Sequence, residues 1–242
     1  MSGGEPPLRL ATVYRRSLAT YRSRWPVVAG MAFLVFAPAA ALETAIGLVV
    51  GDAVEGSDGP VVALLSALAL VASGSTGAAV LFYAGLLDHV VGEDQYGHEH
   101  RSVGSVLRTL PYRRLLVADV LLIVVTFLGQ AFFVIPGLVA FTLFALTGPL
   151  INIEGLGVKA SFRRSALFVW PHFWTVFLAV TVPVASEHFL AHGIDHVLWE
   201  RPVAAAFVMN GLLGVAIGAM AGLAEVTIAQ ELVARDRQRV RA

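Results

Sequence analysis

The sequence predicts an all-α fold: a polytopic membrane helix bundle of six transmembrane helices, arranged as three hairpins with amphipathic helices on the cytoplasmic face. Three observations predict it. Of 242 residues, 57% are hydrophobic and 14% charged, against roughly 45–50% and about 25% in soluble domains. Apolar runs recur at a length that crosses a hydrocarbon core, about 20 residues for roughly 30 Å. Basic residues fall almost entirely on alternate connections. The absence of cysteine removes disulfides, thiolate zinc sites and cysteine nucleophiles. A formal net charge of zero, with acidic and basic residues kept in separate connections, gives no footprint for nucleic acid.

Residues 1–26 interleave Arg9, Arg15, Arg16, Arg22 and Arg24 with Leu8, Leu10, Val13, Tyr14, Leu18 and Tyr21, a pattern that suits an amphipathic helix on the membrane surface. Trp25-Pro26 marks the boundary, and residues 27–50 form the first expected span. A short acidic turn with Asp52, Glu55 and Asp58 precedes the second, 60–91, whose Ser73-Gly-Ser-Thr-Gly77 centre permits close helix approach. Residues 92–114 are polar and carry Arg101, Arg108, Arg113 and Arg114. The third span covers 115–135, Pro136-Gly137 predicts a tight turn, and the fourth covers 138–152. A second basic surface helix, with Lys159, Arg163 and Arg164, leads to the fifth span, 173–192. Pro183 predicts a kink there, with neighbouring helices satisfying the freed carbonyl. The sixth span covers 203–229, and 230–242 is a basic tail.

With the N-terminus in the cytoplasm, only Arg201 of the 17 Lys and Arg residues falls on the far side. The positive-inside rule therefore predicts a multi-pass protein of the bacterial cytoplasmic membrane with both termini cytoplasmic. A weak internal repeat accompanies this pattern. Tyr14-Arg-Arg-Ser-Leu18, then Trp25 and a span with Pro38 and Glu43, parallels Phe162-Arg-Arg-Ser-Ala166, then Trp174 and a span with Pro183 and Glu187.

Ionisable residues inside spans are costly and face a cavity or a partner. Glu43, Glu187 and His188 are the candidates for an outward-opening cavity or ion site; hydrogen-bonded carboxyls near the outer headgroups are the simpler expectation. His188 and His192 sit one helical turn apart, the spacing by which a helix offers two imidazoles to one metal; ordinary interfacial histidines are the alternative. Asp119 and Glu225 lie nearer the cytoplasmic boundary, where pairing with Arg113, Arg114 or the tail arginines is expected. Gly214, Gly218 and Gly222 recur every four residues and predict close helix packing, within the bundle or between protomers. Arg15, Arg16, Arg108, Arg113, Arg114, Lys159, Arg163 and Arg164 are the candidate contacts to anionic headgroups, at about 1 kcal/mol per basic residue. No phosphate loop, nucleophile elbow or soluble carboxylate pair is present.

Phe133-Val-Ile-Pro-Gly137, Pro149-Leu-Ile-Asn152, Glu154-Gly-Leu-Gly-Val158, Ser161-Phe-Arg-Arg-Ser165 and Phe173-Trp174 together resemble the membrane-domain family of the glycerophosphoryl diester phosphodiesterases. The likeness covers residues 130–178 and implies an integral six-helix membrane domain. It does not carry phosphodiesterase activity, because the apolar runs leave no room for a soluble catalytic domain. The expected function is accordingly a non-enzymatic membrane module without a cofactor, organising anionic lipid or a protein partner, with homo-oligomerisation open. A transporter or channel using Glu43, Glu187 and His188 is the alternative, and a metal-dependent membrane enzyme the third.

Overall fold

The computed structural model describes residues 8–54, 59–62, 79–80, 82–88, 110–132, 134–197 and 203–241. Among these the chain is helical with no strand, and four helices are long and apolar enough to cross a membrane: Leu10–Leu42, Ile135–Ile153, Val158–Glu187 and Val208–Arg241. Most of the second expected span and of the polar loop after it, including Arg108, lies outside the described residues.

Helix α1, Leu10–Val54, joins the expected surface helix and first span into one 45-residue element. Pro26 has no N–H to donate one turn back, so the helix breaks its regular geometry just before it, at Arg24 (φ −128°, ψ 24°). The leading stretch therefore changes direction at the Trp25-Pro26 boundary, yet it docks onto the bundle instead of lying apart: Val13 and Ser17 are buried.

Helices α2, Tyr112–Phe132, and α3, Val134–Phe144, form a tight pair. The expected turn at Pro136-Gly137 does not form there: both residues lie in the first turn of α3. A first-turn proline suits a helix, since its missing N–H would have had no intrahelical acceptor. Gly137 instead serves the packing. A Cβ on Gly129 would lie 2.7 Å from the Gly137 nitrogen, so these glycines allow the two backbones to touch.

The fourth expected span is likewise interrupted. After a turn at 145–146, α4 covers Thr147–Ile153. Gly155 then adopts φ +66°, a conformation open to glycine, and turns the chain into α5, Val158–Val169. The expected surface helix is thus the start of a long rod. A 3₁₀ turn at Trp170–His172 links α5 to α6, Phe173–Val176, followed by a π-helical turn, Phe177–Thr181, and α7, Val182–Val197. Gly193 does not end α7, because a single mid-helix glycine costs only about 1 kcal/mol.

Pro183 explains the π turn and its partners. The carbonyls of Leu178 and Ala179 accept from the Tyr14 hydroxyl of α1 at 3.1 and 3.4 Å. Thr181 lies 2.8 Å from the Thr142 hydroxyl, which itself donates to the Leu138 carbonyl, so Thr181 must be the donor of that pair. Helix α8, Val203–Arg241, merges the sixth span with the tail into 39 residues, about 58 Å at the helical rise.

Contacts set the chain directions. Along α1, Arg16, Ser17 and Phe36 meet Glu231, Thr227 and Gly218 of α8 in that order, so the two run antiparallel. Tyr83 meets Gly222 and Asp88 meets Gln230, so segment 82–88 runs parallel to α8. Two apolar cores result. One joins α1, segment 82–88, the start of α2 and α8; the other joins α3, α4, the long rod and the end of α8. Phe33, Leu116, Val120, Ile135, Phe189 and Leu212 point outward, as a hydrocarbon solvent permits.

Candidate functional site

The basic end of the bundle is built around the stretch Ser161-Phe-Arg-Arg-Ser165. Every fourth residue of α5 is buried, Ser161, Ser165 and Val169, while Lys159 and Arg163 face outward. The Ser165 hydroxyl donates to the Leu143 carbonyl at 2.7 Å and accepts from the Leu146 N–H at 3.2 Å, so it satisfies both backbone groups left over by the break between α3 and α4. Phe162 packs on Phe144, ring centroids 4.9 Å apart. Arg164 donates two bonds to the Glu154 carboxylate, 3.0 and 3.1 Å, and reaches Asp236 of α8 at 2.5 Å.

The first copy of this pattern does the same with different partners. Arg16 pairs with Glu231 of α8, which Arg235 also binds at 2.8 Å. Ser17 is buried against Thr227, as Ser165 is buried against α3. In both copies the preceding arginine, Arg15 or Arg163, is exposed. Trp25 and Trp174 are exposed as well, the disposition of aromatic anchors at a membrane interface.

Between the start of α1 and the end of α8 lies a crevice of about 170 Å³. Arg9, Arg16 and Arg235 line it with Thr12, Thr227 and Glu231, and Leu8 and Val13 form its apolar side. Three guanidinium groups against one carboxylate leave an excess positive charge. The first N–H groups of α1 add their partial charge at the same place, so the crevice suits an anion. The Thr175 hydroxyl donates to the Leu8 carbonyl at 3.2 Å and fixes the chain just before α1.

Among the eight headgroup candidates, two are paired with carboxylates of the bundle: Arg164, half-buried, and Arg16, itself exposed. Arg114 donates to the Gly155 carbonyl at 3.1 Å and braces the α4–α5 turn. Arg15, Arg113, Lys159 and Arg163 remain exposed. The crevice residues Arg9, Thr12, Thr227, Glu231 and Arg235 carried no sequence signal beyond charge, because the tail looked like a solvated end and not part of a long helix.

Glu187 is buried, its Oε1 3.4 Å from where a Gly214 Cβ would lie, and it is engaged by a neighbouring group. The side chains of Glu43, His188 and His192 lie outside the described residues, so the cavity and metal readings rest on Glu187 and helical spacing alone. No cluster of three or more metal-ligating side chains occurs among the described residues. Gly218 and Gly222 lie under the rings of Phe36 and Tyr83 within the chain.

Among the described residues no hydrogen bond or ion pair joins Asp119 or Glu225 to Arg113 or Arg114. Arg114 and Arg235 bind other partners, and Arg113 faces outward. Glu225 is fully buried with neither carboxyl oxygen hydrogen-bonded among the described residues. Glu225 lies six residues before Glu231, about 9 Å deeper along α8 than the ion pairs of Arg16 and Arg235.

No family model, curated protein or solved structure matches this chain.

Proposed function

We propose that the protein is a non-enzymatic module of the bacterial cytoplasmic membrane that binds anionic phospholipid headgroups at its cytoplasmic end. The observation that carries this reading is the crevice of Arg9, Arg16 and Arg235, with Thr12 and Thr227 as hydroxyl donors and Leu8 and Val13 as an apolar wall. A phosphodiester needs cationic and hydroxyl donors beside an apolar surface for its acyl chains, and the crevice presents both. Six spans with both termini cytoplasmic fit the one-sided arginines, the exposed Trp25 and Trp174 and the alternating chain directions.

Native mass spectrometry of the protein extracted from liposomes of mixed phosphatidylglycerol and phosphatidylcholine tests the proposal. The wild type retains the anionic lipid in excess, Arg9→Gln and Arg235→Gln lose that excess, and Arg163→Gln, exposed and away from the crevice, keeps it. Equal retention of both lipids by the wild type, or loss that follows Arg163→Gln equally, overturns the reading. A transporter or channel is the second reading, favoured by one observation: Glu187 is buried where the long rod meets α1 and α8.

A further inference from the structure

The long rod and α8 share a register that sets the depth of the crevice. Arg164 of α5 meets Asp236 of α8, and Glu187 of α7 lies beside Gly214. Residues 164 to 187 of the rod thus run against 236 to 214 of α8, so the two are antiparallel and nearly in step. In that register Thr227 stands level with Trp174, and Glu231 with Trp170. Both tryptophans are exposed. Before them the rod turns Lys159 and Arg163 outward, and after them Leu178, Val182 and Phe189. Charge, then indole, then hydrocarbon side chain is the profile of a membrane interface. The crevice shares that depth, which favours a lipid headgroup over an anion dissolved in water.

The leading turns of α1 lie across this level instead of along it. The Leu8 carbonyl accepts from Thr175, Tyr14 reaches the Leu178 and Ala179 carbonyls, and the Ser17 hydroxyl lies 3.4 Å from that of Thr227. Leu8 to Ser17 is about 13 Å of helix, yet its contacts on the rod and α8 stay within about one turn of Trp174. Arg9 and Arg16, about 10 Å apart along α1, are therefore set side by side in the headgroup plane and not one above the other.

The charge is divided between these two positions. Arg16 and Arg235 both bind Glu231, two guanidinium groups on one carboxylate. Arg9 is exposed, with no ion pair among the described residues, and Thr12 adds a hydroxyl to the same crevice. Each position keeps one positive charge in excess. A lipid with a single phosphodiester balances one and leaves the other. A phosphomonoester puts both negative charges on one phosphorus, whereas the crevice separates its own.

We infer, on the reading of the crevice as a phospholipid site, that it selects a lipid whose two phosphodiesters are bridged by a glycerol, the diphosphatidylglycerol class. One phosphate sits at Arg9 and Thr12. The other shares Arg16 and Arg235 with Glu231, since a guanidinium carries donors enough for two acceptors. Leu8 and Val13 line the side on which acyl chains leave.

Native mass spectrometry tests this on the full chain, extracted from phosphatidylcholine liposomes that also hold diphosphatidylglycerol, phosphatidylglycerol and phosphatidic acid at equal phosphate content. One diphosphatidylglycerol per chain should be retained, in about fivefold excess over phosphatidylglycerol, the effect of one further paired charge. Arg9→Gln leaves the ion pairs of the bundle in place and should bring that ratio close to one, whereas Arg163→Gln, outside the crevice, should keep it. Phosphatidic acid retained as well as diphosphatidylglycerol, or a diphosphatidylglycerol preference that survives Arg9→Gln, overturns the inference. Equal retention of diphosphatidylglycerol and phosphatidylglycerol above phosphatidylcholine also overturns it, while leaving the crevice a phospholipid site. Retention of no anionic lipid above phosphatidylcholine overturns both.

Discussion

Gly214 and Gly218 lie one turn apart on α8, and the structure assigns them opposite tolerance to a methyl group. A Cβ at Gly214 would meet Glu187 Oε1 at 3.4 Å and Phe36 Cβ at 3.7 Å, ordinary contacts. A Cβ at Gly218 would lie 2.4, 2.7 and 2.8 Å from three atoms of the Phe36 ring. That ring is buried and packs on Tyr83 with centroids 5.3 Å apart, so it cannot swing clear. Both substitutions to alanine gain the same helix propensity, roughly 0.5–1 kcal/mol. Only Gly218→Ala carries the overpacking cost, about 1–3 kcal/mol. Gly214→Ala should therefore be neutral or slightly stabilising, with Gly218→Ala about 1–3 kcal/mol less stable than it. Reversible denaturant unfolding in bicelles measures the difference. A double-mutant cycle adds the cause: in a Phe36→Ala background the penalty at Gly218 should fall close to zero. Equal stability of the two alanine variants, or a Gly218 penalty that survives removal of Phe36, would refute the packing argument.

Three further outcomes are expected. Ser165→Ala leaves the Leu143 carbonyl and Leu146 N–H without partners and should destabilise by about 1–3 kcal/mol per orphaned group, read as a lower midpoint in the same unfolding assay. Arg164→Gln loses its bonds to Glu154 and Asp236 and, because the pairs are partly exposed, should cost about 1 kcal/mol or less, whereas Arg163→Gln should leave the midpoint unchanged. Since the chain has no cysteine, single cysteines at Arg15, Arg163 and Arg239 can be probed in intact cells with an impermeant maleimide; all three should stay unlabelled until the membrane is opened, and labelling of one alone would break the proposed orientation.

Much of this architecture was legible because membrane solvent imposes few patterns. Helical apolar runs, Trp25 and Trp174 at boundaries and the arginine-rich connections are direct answers to hydrocarbon thickness and headgroup charge. An irregularity near Pro183 was equally readable, since proline removes a donor wherever it sits, although it takes the form of the π-helical turn at Phe177–Thr181. What the sequence hid was continuity and depth. Nothing local separates an interfacial helix that stops at Trp25 from one that continues as α1, or a solvated tail from the last turns of α8. The break at Ala145–Leu146 was invisible because its backbone groups are satisfied by Ser165, far along the chain. Pairing of Glu225 with an arginine looked reasonable in one dimension, but about 9 Å of depth and competing carboxylates at Glu231 and Asp236 decide otherwise.

Both arginine-serine motifs send their second arginine to α8, Arg16 to Glu231 and Arg164 to Asp236. The ribosome makes these motifs first and their shared acidic receptor last. Until α8 is synthesised and inserted, Arg16 has no carboxylate to meet and Arg164 has only Glu154. The crevice of Arg9, Arg16 and Arg235, whose other wall is α8, does not yet exist. Completion of the bundle is thus tied to its final helix, and a chain truncated before Glu231 would leave Arg16 without this carboxylate and Arg164 with Glu154 alone.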